Sequence, residues 1–312
     1  MTIELRTLGE AELDAAERVR RLAFGTLLGL PDPLSFRGDV SLLPARRWAY
    51  PEGGLVALED GELIGVAIAN NWGSLGVFGP VAVAPSHWRR AVARQLLEAT
   101  MPVFDRWGSR VVGLFTFPER PTHVRLYQAF GFWPRALTAI MARPVTSPSP
   151  VAEALALSDQ RGAFKDIVGQ CRMLTSAIFD GLDLSREIEM VIERKLGDVV
   201  LLTEGSRVTG FAVCHAGKGS EAGSDAVYVK FAAIRPDSLA AARFPRLIEA
   251  CNDFAHRCGA KTMSGGVNLA RMNAYRALID LGFRATLQGV AMHRPWVEAY
   301  DRPEIFVLED WR

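Results

Sequence analysis

Arg89, Arg90 and Arg94 cluster where an apolar run gives way to a helical period, a placement suited to binding an anion. The run GPVAVAP (Gly79 to Pro85) reads as a strand, and SHWRRAVARQLLEAT (Ser86 to Thr100) follows with helical spacing. The first N–H groups of a helix have no acceptor within it, and the helix dipole adds partial positive charge there. A phosphate fits such a place, and the small residues Ala91 and Ala93 let it approach the backbone. Downstream, the apolar run VVGLFTFP (Val111 to Pro118) leads to a helix ending in LYQAFGF (Leu126 to Phe132). No general base stands out: Glu59, His87, Glu119 and His123 are candidates without geometry.

The elements that must position these residues belong to a chain of 312 residues, comfortable for two domains. Hydrophobic residues at 49% and charged residues at 23% place it among ordinary globular proteins. A net charge of +1 leaves no global field for nucleic acid or an anionic membrane, so neither is an expected partner. The four cysteines, all in the second half and without a CxxC pair, point to a reducing compartment. Cys251, His256 and Cys258 sit close in one helical segment, but their spacing is poor for zinc, and no metal is expected. Neither a signal-peptide core nor a membrane-length apolar run occurs, so the reading is cytoplasmic.

In chain order, Thr2 to Leu8 read as a strand and Glu10 to Phe24 as a helix, with Leu13, Ala16, Val19, Arg20 and Ala23 at helical spacing. Gly25 to Pro44 read as a loop. Leu55 to Glu59 and Glu62 to Ala69 form a hairpin across Asp60-Gly61. ARPVTSPSP (Ala142 to Pro150) reads as a linker because its prolines and hydroxyl residues suit no core element. The same order then returns: a helical region, a hairpin across Glu204-Gly205, a strand at Ala226 to Ile234, a helix, a strand, a helix and a strand. Pro85 and Pro236, Gly108 and Gly259, Gly131 and Gly282, Phe132 and Phe283, and Met141 and Met292 all keep an offset of 151. One ungapped register over this distance makes the chain a tandem of two copies of one α/β unit. The tail from Trp296 is extra, and EIFVLED within it suits another strand.

These features resemble the GNAT superfamily of acyl-CoA N-acyltransferases. There, a strand ending near V-x-P leads into Q/R-x-x-G-x-G/A at a helix start; here Trp88, Ala91 and Ala93 hold the signature positions, with Leu96 and Leu97 behind. The family's Y-x-x-x-G-F element matches YQAFGF, Tyr127 to Phe132. The resemblance covers both halves. It implies a mixed α/β (α+β) fold of two tandem GNAT-like domains, each a central mixed sheet flanked by helices. The implied limits are 1–144 for the catalytic domain, 145–150 for a linker and 151–312 for a degenerate second domain with its tail. It further implies acetyl-CoA as co-substrate. Val81, Ala82 and Val83 would pair with the pantetheine arm on a splayed strand edge, and Trp88, Arg89, Arg90, Ala91, Val92, Ala93 and Arg94 would hold the phosphates. Tyr127 would be the acid that protonates the departing thiolate.

Comparing the copies locates the chemistry in the first. Tyr127 maps to Leu278, Ala93 to Phe244 and Arg94 to Pro245, so the second copy is expected to have lost its site. The expected activity is transfer of an acetyl group to an amine, small-molecule or peptide, by direct attack in a ternary complex. The alternative is a non-catalytic tandem module that binds coenzyme A or a small ligand, kept open by the missing glycines, Trp88 and the absent base. A homodimer is compatible with either reading. Acceptor contacts are expected from Gly25 to Trp48 and Asn70 to Ser74, with Phe36, Trp48 and Trp72 as pocket candidates.

Overall fold

The apolar runs become strands at the expected places, and Asp60-Gly61 turns between two of them. In the computed structural model, which describes residues 3–311, β1 (Ile3–Thr7) leads through a short turn to α1 (Leu13–Leu27). Next come α2 (Leu43–Ala49) and the hairpin of β2 (Gly54–Glu59) and β3 (Glu62–Trp72). The first half ends with β4 (Leu75–Val83), α3 (Val92–Trp107), β5 (Val111–Thr116), α4 (Pro121–Gln128) and β6 (Trp133–Pro144). The second half begins with β7 (Ala154–Ala156), α5 (Phe164–Ile178) and α6 (Ser185–Glu193). It continues with β8 (Gly197–Glu204), β9 (Arg207–Gly217), β10 (Gly223–Ile234) and α7 (Ala240–Arg257). It closes with β11 (Thr262–Asn268), α8 (Met272–Asp280) and β12 (Arg284–Arg294), and the tail adds β13 (Val307–Leu308).

Three local expectations shift. The loop reading from Gly25 stops short of α2, a short helix with Pro44 in its first turn. The helix read from Ser86 begins at Val92, because Pro85 to His87 form a 3-10 turn first. β6 runs through Pro144, and Ala142 and Arg143 pair with Ser264 and Met263 of β11; residues 145–150 form no regular element.

The thirteen strands among the described residues belong to one sheet, in the order β1-β2-β3-β4-β5-β12-β6-β11-β10-β9-β8-β7, with β13 on β10. β12 pairs antiparallel with β5 and β6, and β6 pairs antiparallel with β12 and β11. Each half thus sends its last long strand into the other half. In both copies the central parallel pair is short. β4 and β5 pair from Leu75↔Val111 to Phe78↔Leu114, and β10 and β11 from Ala226↔Thr262 to Val229↔Gly265, the same positions at the 151-residue offset. Past those points the strands part. A bulge marks each departure, at Gly79-Pro80 on β4 and at Lys230 on β10. A bulge bends its strand and interrupts pairing, which is how a sheet opens without losing the flanking ladder.

A shared core welds the halves. Trp72 and Val77 of the first half pack in one cluster with Leu174, Phe211 and Phe231 of the second, and the Trp72 and Phe231 rings meet edge-on at 5.7 Å. Each such buried side chain contributes about 1.5–3 kcal/mol. Behind the two bulges lies a buried ion network. Arg46 of α2 donates to the Gly79 carbonyl at 2.8 Å and to Glu221 at 2.9 Å. Lys230 donates to Glu221 at 2.6 Å and sits 2.9 Å from Glu187, which accepts from the Trp72 indole at 3.0 Å. Burial pushes the Glu221 carboxyl up, but Arg46 and Lys230 outweigh it and hold the carboxyl well below its usual range.

Glu221→Gln would leave two buried cations short of a counter-charge, so a loss of about 3–5 kcal/mol in urea unfolding is expected. A loss below about 1 kcal/mol, the size of an exposed pair, would show that the network does not hold the halves together.

Candidate functional site

The gap between β4 and β5 opens into a cleft of about 900 Å³. One wall is the free edge of β4. The Ala84 N–H donates to Ile64 on β3 at 2.8 Å, so by the alternation of an antiparallel ladder Val81 and Val83 turn their backbone groups into the gap. The Trp88 indole donates to the Val83 carbonyl at 2.7 Å. The N–H groups of Val81 and Val83 are thus offered to an extended ligand, with Ala82 between them facing β3.

The gap ends at the turn before α3. Arg89 (φ 63°) and Ala91 (φ 59°) both adopt the left-handed conformation that non-glycine residues avoid. Their geometry turns the backbone of residues 89–94 so that its N–H groups find no acceptor among the described residues; the first helical bond runs from Gln95 to the Ala91 carbonyl. A run of free N–H groups at a helix start is an anion cradle. Here the signature position taken by glycine in the resemblance is held by Ala91 under backbone strain. Arg89 and Arg94 line the cleft with Trp88, Ala91, Val92 and Ala93. Arg94 lies 2.9 Å from Glu98. Arg90 departs from expectation: it lies outside the lining and donates to Glu59 at 2.9 Å, so its charge is spent on β2 rather than on a phosphate.

The opposite wall comes from α4 and α1. Tyr127 lines the cleft, edge-on to Phe78 at 6.3 Å, and burial pushes its phenol up to about 12. His123, one turn earlier and so on the same face, also lines the cleft, and its imidazole has no partner among the described residues. Burial, and then Arg120, push the His123 imidazolium below its usual range against the weaker pull of Glu119. Of the other base candidates, Glu59 is engaged by Arg90 and by His87 at 3.1 Å, and Glu119 lies outside the lining. Phe36 lines the cleft beside Phe24, whereas Trp48 stacks under Arg194 and Trp72 is buried on Glu187. Arg20, Arg120 and Trp311 also line it, and sequence reasoning did not mark them as site residues. Arg20 had a signal, a charge within the apolar stripe of α1. Trp311 had none, since it reaches the cleft from the far end of the chain and seats its ring on bare Gly113, where a Cβ would lie 2.3 Å from it.

The second copy has the same gap, and the tail fills it. The Ile234 N–H, which corresponds to that of Val83, donates to the Phe306 carbonyl at 3.0 Å, and Ala232 and Ala233 pair with Leu308 and Val307. The reading of EIFVLED as a further strand therefore holds in part, over Val307–Leu308. Phe244 is buried and lies 5.2 Å from Phe306. α7 begins at Ala240, earlier than α3 by offset, so Arg243 is drawn onto Asp237 and Glu204 and Pro245 falls inside the helix rather than at its mouth.

A more open hollow of about 1180 Å³ lies among Ser158, Lys165, Asp198 and Cys258, away from all of these residues. Cys251 meets Cys214 in the core at 3.9 Å, whereas Cys258 is exposed. Among the described residues no helix is long and apolar enough to cross a membrane.

Comparison with known proteins agrees with this architecture. Residues 29–132 match the Acetyltransferase (GNAT) family. No curated protein matches the sequence. Among solved structures, a Pyrococcus horikoshii protein with a provisional acetyltransferase assignment aligns over 99% of this chain and 95% of its own, at 12% identity and a TM-score of 0.70. A GCN5-related N-acetyltransferase from Sphaerobacter thermophilus aligns over 93% and 95%, at 15% identity and a TM-score of 0.57. A tandem GNAT protein from the clavulanic acid biosynthesis pathway aligns over 94% and 98%, at 12% identity and a TM-score of 0.57.

The strain at Ala91 is open to direct test. Ala91→Gly removes the left-handed penalty, less the added freedom of the unfolded chain, and is expected to stabilise the protein by about 0.5–1 kcal/mol. Differential scanning calorimetry would show this as a rise in Tm of about 1–3 °C.

Proposed function

We propose that this tandem protein of the GNAT superfamily is an N-acetyltransferase that uses acetyl-CoA and acts through its first half. The observation that carries the reading is the unpaired edge of β4 running into the cradle of free N–H groups at residues 89–94. Coenzyme A has the matching parts: an extended arm with two amides and a pyrophosphate at its end. Val83 and Val81 would pair with the arm, and the cradle with Arg89 and Arg94 would take the phosphates. The plugged second copy supports this, because the equivalent edge there does bind an extended backbone.

The transfer itself needs two proton movements. The amine nitrogen attacks the thioester carbonyl carbon, and the carbonyl oxygen gathers negative charge. The Val81 N–H, next to the bulge, would stabilise that oxyanion, a contribution typically of about 3 kcal/mol. The C–S bond then breaks and the thiolate takes a proton from Tyr127. Burial keeps that phenol protonated, so it has a proton to give. The proton lost by the amine goes to His123, which is neutral at pH 7 because burial lowers its affinity for a proton. The free cysteines Cys171, Cys214, Cys251 and Cys258 fit a cytoplasmic setting.

Tyr127→Phe is expected to lower kcat by about 10²–10³-fold with little change in the KM for acetyl-CoA, measured by thiol release. Unchanged turnover would remove Tyr127 from the mechanism, and failure to bind acetyl-CoA would remove the reading as a whole. The pH profile gives a second test. Because the His123 imidazolium lies below its usual range, kcat/KM should be flat near pH 7 and fall only as pH drops through that lowered value. His123→Gln should abolish this acidic limb. With its phenol near 12, Tyr127 should contribute no alkaline limb below about pH 10.

A further inference from the structure

Five arginines line the cleft, Arg20, Arg37, Arg89, Arg94 and Arg120, and among the described residues no aspartate or glutamate does. Arg89 and Arg94 belong to the cradle end. The other three belong to the wall that α1 and the segment after it form with Phe24 and Phe36. Arg120 precedes α4 and reaches across to donate to the Leu27 carbonyl at the end of α1, at 3.1 Å. Arg20 lies two turns back on α1. It is almost fully buried, pairs with Glu17 and stacks on Phe36, and its Nη2 has no hydrogen-bond partner. Glu17 accepts in addition from the N–H groups of Leu42 and Leu43, which fix it as the counter-charge of Arg20 and leave Nη2 as the open donor of the guanidinium.

The second copy shows what a guanidinium at this place binds. Arg120 maps by the 151-residue offset to Arg271, likewise at the start of its helix. Arg271 is fully buried, donates to the Val307 carbonyl at 3.2 Å and forms ion pairs with the Glu309 carboxylate and, at 3.5 Å, with that of Asp301. In that copy Phe306 to Leu308 occupy the edge where the first copy would hold the arm of coenzyme A. Glu309 is the next residue towards the bulge, past the paired stretch and so past the position that Val81 gives the thioester. A carboxylate in that position is therefore at the transfer end of the cleft, where acyl group and acceptor meet.

Resting on the transferase reading above, we infer that the acceptor is an amine bearing a carboxylate, and that Arg120 binds that carboxylate with Arg20 behind it. An amino acid or a related amino-carboxylate has this chemistry. A polyamine or a lysine-rich segment would find arginines and no carboxylate in the lining among the described residues. The acyl group is the other source from which a carboxylate could come, as in a dicarboxylic acyl-CoA. The acetyl group of the reading above carries no carboxylate, which leaves the acceptor to supply it.

The test is a thiol-release assay with acetyl-CoA and matched acceptors: amino acids, their carboxamides, and spermidine. The expected result is a kcat/KM about 10–100-fold higher for the carboxylate than for its amide, the range of a charge-assisted hydrogen bond, and no use of spermidine. Arg120→Gln should collapse the carboxylate-to-amide ratio towards one, with Arg120→Lys restoring part of it and the melting temperature confirming that both variants fold. Preference for the amide or for spermidine, or a ratio untouched by Arg120→Gln, overturns the inference and leaves the transferase reading standing. So does a preference for succinyl-CoA over acetyl-CoA that vanishes in Arg120→Gln, since it moves the carboxylate to the acyl group. Binding of acetyl-CoA, seen as a raised melting temperature, without turnover of any amine overturns both.

Discussion

The fold turns on a buried charge network placed behind the two bulges. Arg46 holds the Gly79 carbonyl on one side and Glu221 on the other, and Glu221 shares Lys230 with Glu187. Gly79 and Lys230 are equivalent positions of the two copies, so the points where both sheets open are tied to one another. A bulge alone gives a strand freedom to bend in several directions. Fixing its carbonyl to a guanidinium that is itself fixed by the other half removes that freedom. Ions buried this deeply are a poor source of net stability, but they penalise every arrangement that separates them. The network therefore specifies the angle between the halves more than it strengthens them.

Around that pivot the halves are interdependent. β12 lies beside β5, and Thr286 and Leu287 from β12 help line the first cleft. Trp311 lines it too, after the tail has filled the second gap. One copy has an unpaired edge with a strained cradle, and the other has closed its edge with its own chain. The difference comes from few residues. Phe244 stands where Ala93 stands and stacks on the tail, and Leu278 replaces Tyr127 in a buried position.

Much of this was legible in the residues. The apolar runs, the turn at Asp60-Gly61 and the 151-residue register located the strands and helices of both copies, because those signals are local. The cluster from Trp88 to Arg94 was legible for the same reason, save that Arg90 turned to Glu59, a partner on another strand. The exchange of β6 and β12 was not legible. Both strands follow the same motif and have similar patterns, so either could complete either sheet, and only the packing of the whole chain selects the partner. α2 was missed because its helical signal is short and begins at a proline. Arg120 and Trp311 acquire meaning only once distant segments meet, so periodicity could not expose them.

The tail in the second gap also has a quantitative consequence. It is joined to β12 by a short connection, so its strand meets the β10 edge at an effective concentration of about millimolar or higher. A free pantetheine ligand must compete with that local supply, and with the ion pair of Arg271 and Glu309 that secures it. Cofactor at ordinary micromolar levels loses this contest by roughly three orders of magnitude for equal intrinsic contacts. The second half is thus a saturated receptor, occupied by a ligand encoded in the same chain. On the transferase reading, one equivalent of cofactor per protein molecule follows, taken at the open edge of the first copy.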